Sequence, residues 1–227
     1  TLEELSRAWS GLENQKEIRV VLLRGARERA FSCGAELSEI LEKSPEECYV
    51  LSRRGQQIFQ QIAGSRLISV AVINGLALGA GFELALACHF RLAASEVKLG
   101  LPEIQWGFIP GYGGTVRLPR MVGRNRALEA ILMGEPVTAE LAMSCSGLIN
   151  YVHPRGVLYQ EAENLAQKLL SRERSAQEAV LQAIPGLVPD AELERESRLF
   201  EACCRNPAVR EKLRDHLGRR LRRLPEE

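Results

Sequence analysis

The 227-residue sequence is poor in the residues that metal, redox and nucleic-acid chemistry require. Its three histidines, His89, His153 and His216, are scattered, and none of its six cysteines forms a C-x-x-C pair. No metal-ligand spacing results, so no metal site is expected. Cys33, Cys48, Cys88, Cys145, Cys203 and Cys204 read as reduced, mostly buried thiols of a cytosol-like compartment. With 30 basic and 29 acidic residues the net charge is +1, which gives no electrostatic case for nucleic acid or a membrane surface. No apolar run approaches membrane-spanning length and no signal peptide is visible, so a cytoplasmic or mitochondrial-matrix location is expected. Hydrophobic residues make up 45% of the chain, enough for one globular domain with an appendage.

Against this background the stretch from Asn74 to Thr115 stands out. Ser69–Asn74 (SVAVIN) reads as a buried strand stopped by Asn74-Gly75. Gly79-Ala80-Gly81 then leads into an apolar helical run, Phe82 to Cys88, that carries one acid, Glu83. The first amides of a helix lack internal partners and sit at its positive end. The Ala80 N–H can therefore donate to an oxygen that gains negative charge during a reaction, with Glu83 one turn away on the same face. A tight turn followed by a dipole-complementing acid is the plainer reading of the same residues. A second acid, Glu103, follows a proline and precedes another glycine-rich loop, Gly107 to Gly114. Buried glutamates are rare unless paired or functional.

A second amide donor is sought in Ala30–Ile40 (AFSCGAELSEI), small residues leading from a strand, Ile18 to Leu23, into a helix. Further on, Ser44-Pro45-Glu46-Glu47 announces a capped helix with Leu51, Gly55, Ile58, Phe59 and Ile62 inward, ending at Ala63-Gly64. His89–Ala94 reads as a short strand whose histidine is a packed core residue. Arg117–Gly123 is expected to lead into a helix containing Ala127, Ala130 and Ile131, Thr138 to cap another ending at Gly147, and LINYV (148–152) to form a last strand. Short cycles of strand, loop and helix suggest a parallel-sheet α/β core over residues 1–154. Residues 155–227 read as helical, with a leucine stripe (Leu165, Leu169, Leu170), breaks at Pro185 and Pro189, and helices over 191–204 and 208–221.

AFSCGAEL, NGLALGAGFELALAC, LGLPEIQWGFIPGYGGTVRLPRMVG and SGLINYV occur in the order and spacing of the crotonase superfamily, and most resemble its enoyl-CoA hydratases. The resemblance implies a spiral core of stacked β-β-α turns followed by C-terminal helices that build a trimer, or a dimer of trimers, and cover a neighbour's site. It implies that the amides of Ala35 and Ala80 hold a thioester oxygen and stabilise an enolate-like intermediate. Glu83 and Glu103 match the pair that activates water and handles the proton, and Gly111 the glycine whose amide holds that water. Cys33 and Trp106 fall beside these as substrate-contact candidates. Trp106 and Phe108 suit either an acyl-pocket wall or ordinary core. Near neutral pH a free glutamate is almost wholly ionised, whereas two carboxylates in one dry site share a proton and titrate as a unit.

The implied function is hydration of a 2-enoyl-CoA thioester. No cofactor is expected beyond the coenzyme A of the substrate, and no nucleic acid or membrane partner. The alternatives are double-bond isomerisation or another acyl-CoA lyase or hydrolase reaction on the same scaffold, or a non-catalytic, RNA-associated scaffold member. Three departures from the family pattern accompany the match. Ala80 stands where glycine is usual. The strands and nucleotide-holding loop that normally precede the first helix are not in this sequence. The tail replaces an acidic-glycine pair and basic patch with Arg219, Arg220, Arg222 and Arg223, which suit either coenzyme A phosphates or a solvated helix end.

Overall fold

The computed structural model describes residues 2–144 and 147–221. The readings on Cys145, Arg222 and Arg223 lie outside the described residues, as does the side chain of Arg220. α1 (Leu2–Glu13) turns Trp9 into the core, where it is buried. Two four-stranded sheets follow. β1 (Val20–Arg24), β3 (Ile68–Ile73), β5 (Phe90–Ala94) and β8 (Tyr151–His153) pair in parallel in that order. β2 (Ala30–Ser32), β4 (Leu76–Leu78), β6 (Lys98–Gly100) and β7 (Val137–Thr138) form the second sheet, parallel except for the β6–β7 pair. Consecutive strands thus alternate between sheets, β1 then β2, β3 then β4, β5 then β6. Each pair is one turn of a spiral, closed by helices before the next begins. β3 is buried over its whole length, as a strand apolar at every position but Ser69 and covered on both faces requires; Ser69 Oγ is satisfied by His89.

Asn74 pins one turn of the spiral to the next. Its Oδ1 accepts from the Gly25 amide (3.1 Å) and its Nδ2 donates to the Arg27 carbonyl (3.0 Å). This fixes the β3–β4 turn against the β1–β2 loop, and both connections lead directly to the candidate site. α2 (Leu37–Glu42) follows β2, and α3 (Pro45–Ala63) follows α2. α3 starts with a full capping box. The Glu47 amide donates to Ser44 Oγ (3.1 Å), and the Ser44 amide donates to Glu47 Oε2 (2.7 Å), an arrangement that contributes about 1 kcal/mol. The inner face of α3 carries Ser52, Gly55, Gln56, Ile58, Phe59 and Ile62, all buried.

The remaining elements are α4 (Ala80–Ala87), a 3₁₀ turn (Glu103–Trp106), α5 (Gly114–Val122), α6 (Arg124–Met133), α7 (Ala139–Ser144), α8 (Arg155–Leu170), α9 (Arg174–Ala183), α10 (Asp190–Arg205) and α11 (Pro207–Leu221). Several features differ from the sequence reading, among them the last strand, which runs Tyr151–His153 rather than 148–152. The second sheet was absent from it, because strands of two or three residues are too short to show an alternating pattern. The segment 117–123 is not a lead-in but most of α5, which tolerates Pro119 in its interior. The helical stretch after residue 155 is divided at Ser171, giving α8 and α9 rather than one helix. Finally, α10 packs on α3, and α11 on α2 and the 3₁₀ turn, so both cover their own chain's site.

Candidate active site

The site is assembled where the second sheet hands over to helices. β4 ends at Leu78, and Gly79 turns the chain with φ of +53° into α4. A side chain on Gly79 would be strained by that conformation, and its Cβ would lie 3.0 Å from Glu103 Oε1. A Cβ on Gly81 would fall 2.2 Å from the Ser32 carbonyl oxygen. Glycine is therefore required on both sides of Ala80, whereas a methyl at position 80 itself is accommodated. Ala80 opens α4, so helix geometry leaves its N–H without an internal acceptor. The Cys33–Ala35 loop after β2 lies directly against this amide: a Cβ on Gly34 would sit 3.1 Å from the Ala80 nitrogen.

Glu83, one turn into α4, is buried. Its Oε1 accepts from the amides of Tyr112 (2.8 Å) and Gly114 (2.7 Å), at the start of α5. Both bonds fall on Oε1, and among the described residues none falls on Oε2. Burial raises the Glu83 pKa well above the usual carboxylate range, and the charges of Glu103 and Glu196 push the same way, against the two amide bonds. Glu103, the first residue of the 3₁₀ turn, is 8% exposed, and its Oε2 is buried without a hydrogen-bond partner. Burial, with a contribution from Glu196, pushes its pKa up to about 7.

Around these acids is a cavity of about 70 Å³, several times the roughly 10–15 Å³ that one water molecule needs. Cys33, Ala35, Ala80, Glu83, Glu103, Trp106 and Gly111 all line it. The geometry thus brings every site residue expected from sequence to one place. Trp106 and Phe108 both line the cavity while also packing. Trp106 packs against His216 of α11 (centroids 3.9 Å apart, rings tilted by 54°), and Phe108 meets Phe200 of α10 edge to face. Cys33 is exposed at the cavity. His89 is a packing residue, its Nδ1 2.8 Å from Ser69 Oγ, and burial lowers its pKa. Arg219 is exposed.

Residues 1–221 match the profile of the family described as Enoyl-CoA hydratase/isomerase. The chain belongs to that family. It is 38% identical over 185 residues to a probable enoyl-CoA hydratase of Bacillus subtilis, covering 81% of this chain and 71% of that one. Among solved structures it resembles an enoyl-CoA hydratase from Bacillus anthracis, with 34% identity, a TM-score of 0.75 and coverage of 96% and 85% of the two chains. The human mitochondrial delta3-delta2-enoyl-CoA isomerase shares the fold, with a TM-score of 0.84 at 23% identity over 97% of this chain and 87% of that one. The crotonase architecture and an acyl-CoA enzyme of the hydratase/isomerase type follow from these matches. Among the described residues no helix is long and apolar enough to cross a membrane, and no group of three or more potential metal ligands occurs.

Within this enoyl-CoA hydratase/isomerase chain, sequence reasoning overlooked Glu196 and Phe200 of α10. Phe200 lines the cavity, and its ring lies 3.2 Å from where a Cβ on Gly111 would be. Glu196 is a third buried carboxylate. A signal was present: Leu193, Glu196, Ser197, Phe200 and Cys204 follow helical spacing and are all buried, so an acid sits within the inward stripe.

Proposed function

We propose that this enzyme adds water across the double bond of a 2-enoyl-CoA thioester. The observation that carries the reading is the shared cavity. Two buried carboxylates face it alongside the Ala80 amide and the loop bearing the Ala35 amide. In the reaction the thioester oxygen takes up negative charge as water oxygen bonds to the β-carbon, and the two amides are the donors for that charge. One ionised carboxylate removes a proton from the water, and one protonated carboxyl delivers a proton to the α-carbon. Atoms and charge then balance, and the pair ends the cycle with the one proton it began with. Burial raises the proton affinity of both members, so the pair titrates as a unit above the ordinary carboxylate range and can both hold and accept a proton near neutral pH. Glu83 Oε2 and Glu103 Oε2, neither engaged by a donor among the described residues, are the oxygens available to water and substrate.

Gly111 supports the water position. Its carbonyl accepts from Ser52 Oγ (2.5 Å), which fixes the Gly111–Tyr112 peptide next to the amide that faces the water. The acyl-CoA carries its own nucleotide handle, so no separate cofactor enters the scheme. Assembly as a homotrimer, or a dimer of trimers, is part of the same reading, supported by exposed apolar side chains on α6 and α7 such as Leu132, Met133 and Leu141.

The deciding experiment incubates the protein with a short 2-enoyl-CoA in isotopically labelled water. A 3-hydroxyacyl-CoA carrying solvent oxygen is expected. Conversion between 2- and 3-enoyl isomers without oxygen uptake would overturn hydration in favour of isomerisation. Salt-sensitive RNA binding with no acyl-CoA turnover would overturn the enzymatic reading altogether.

A further inference from the structure

We propose that Glu196, on α10, is a positioning residue that sets the Gly111–Thr115 loop and the charge state of the Glu83–Glu103 pair. This deepens the reading above by assigning a role in the same site to a residue outside the acid pair and the oxyanion amides.

The end of the loop after the 3₁₀ turn and the first two residues of α5 present successive amides to two opposite carboxylates. Those of Tyr112 and Gly114 donate to Glu83 Oε1 at 2.8 and 2.7 Å. Those of Gly113 and Thr115 donate to Glu196, at 2.6 Å on Oε1 and 2.9 Å on Oε2. The backbone is therefore gripped alternately from its two sides. Such amides at a helix start have no internal acceptors and favour anions. Glu196 also accepts from Thr115 Oγ1 (2.5 Å) and from Gln56 Nε2 of α3 (3.0 Å). Its neighbour Ser197 shares a hydrogen bond with Ser52, the residue that holds the Gly111 carbonyl. Four donors converge on Glu196 and favour its carboxylate form, against burial, which raises its pKa.

Two consequences follow. First, the amides of Gly113 and Thr115 cannot rotate toward the cavity, so Tyr112 and Gly114 stay aimed at Glu83 and its Oε2 is left for substrate. Second, a negative charge held behind the loop raises the proton affinity of the pair in front of it. The charged groups that feel Glu196 are Glu83 of α4, Glu103 of the 3₁₀ turn and Arg117 of α5. Arg117 is buried: it donates to the Tyr112 carbonyl (2.9 Å) and to Gln60 (2.8 Å). Arg53 is paired with Asp190 and Glu194, and Arg120 with Glu192.

The test compares Glu196→Gln and Glu196→Asp with wild type, using the full chain and checking each fold by circular dichroism. Carbon-13 titration of the side-chain carboxyls and amide hydrogen exchange are read without substrate. Glu196→Gln removes the charge, so the titration of the Glu83–Glu103 pair moves to lower pH. Glu196→Asp keeps the charge but shortens the reach, so the titration stays near wild type. Both variants speed exchange at Gly113 and Thr115. With a 2-enoyl-CoA, Glu196→Gln is expected to lower kcat about 10- to 100-fold with little change in KM, the scale of a misplaced catalytic group. Folded variants with an unmoved titration and unchanged exchange would overturn the assignment. A wild-type protein that turns over no enoyl-CoA would overturn the proposed reaction, while the titration and exchange arms still decide the role of Glu196.

Discussion

Replacing Glu103 by glutamine is expected to make the protein more stable and nearly inactive, with the stability gain confined to one side of a pH window. Glutamine imitates the protonated acid in size and hydrogen-bonding capacity, so the cavity wall is kept. What changes is the charge. Glu103 is 8% exposed with Oε2 unpartnered, and its pKa is raised from 4.5 to about 7. A rise from 4.5 to about 7 corresponds to about 3 kcal/mol disfavouring the ionised native state. The folded protein binds this proton more tightly than the unfolded chain does. The wild type therefore keeps full stability below about pH 4.5 and loses it progressively as pH rises through about 7. Glu103→Gln escapes that loss. Near pH 8 its Tm should exceed the wild-type value by roughly 6–12 °C, given about 2–4 °C per kcal/mol for a chain of this size. Near pH 4.5 the two curves should converge. Calorimetry from pH 4.5 to 8, beside a hydration assay in which kcat falls ~10²–10⁴-fold, reads both effects. A Tm difference independent of pH would show a packing change instead, and a lower Tm at pH 8 would refute the electrostatic argument.

Two further substitutions probe the backbone around the acids. Ala80→Pro deletes the amide while keeping a residue that is tolerated at the first position of a helix, where Ala80 stands. The fold should survive by circular dichroism while the barrier rises about 3–4 kcal/mol, seen as a loss in kcat. Gly114→Ala places a methyl 2.8 Å from Glu83 Oε1 and 2.9 Å from Pro110 Cβ. It should cost about 1–3 kcal/mol in urea unfolding, and loosening the amide bond to Glu83 should move the acid limb of the kcat profile to higher pH.

The parts of the site that lie within short motifs were legible in the sequence. Gly79-Ala80-Gly81 with Glu83, and Pro102-Glu103, each place a chemical group by local geometry alone, a helix start or a turn, and composition makes a buried acid conspicuous there. The long buried strand β3 was legible for a similar reason, since ISVAVI is apolar and mostly β-branched at every position but Ser69. The second sheet was not. Its strands are held by register to neighbours distant in sequence, Ala30 opposite Leu76 and Ala77 opposite Leu99, and three residues carry no periodic signal. Glu196 was hidden differently. Its partners, Gly113, Thr115 and Gln56, lie 81 to 140 residues away. An acid within an amphipathic helix normally belongs to the wet face, and only the burial of its whole stripe shows that this one does not.

If Glu196 acts as proposed, the three acids place two opposing controls on the proton affinity of the pair. Amide bonds to Glu83 favour its ionised form, while the charge of Glu196 and burial favour protonation. Both controls pass through the same five residues, Gly111 to Thr115, because that loop supplies amides to either carboxylate. Weakening the Glu83 side and removing the Glu196 charge must therefore displace the titration in opposite directions, upward for Gly114→Ala and downward for Glu196→Gln. A loop that merely packed would lose activity in both variants but give no such opposition in sign. Combining the two substitutions sharpens the point. If the loop couples the acids, the double variant should titrate between the two single variants, and its loss of kcat should be smaller than the product of theirs, since the second change acts on a loop already released.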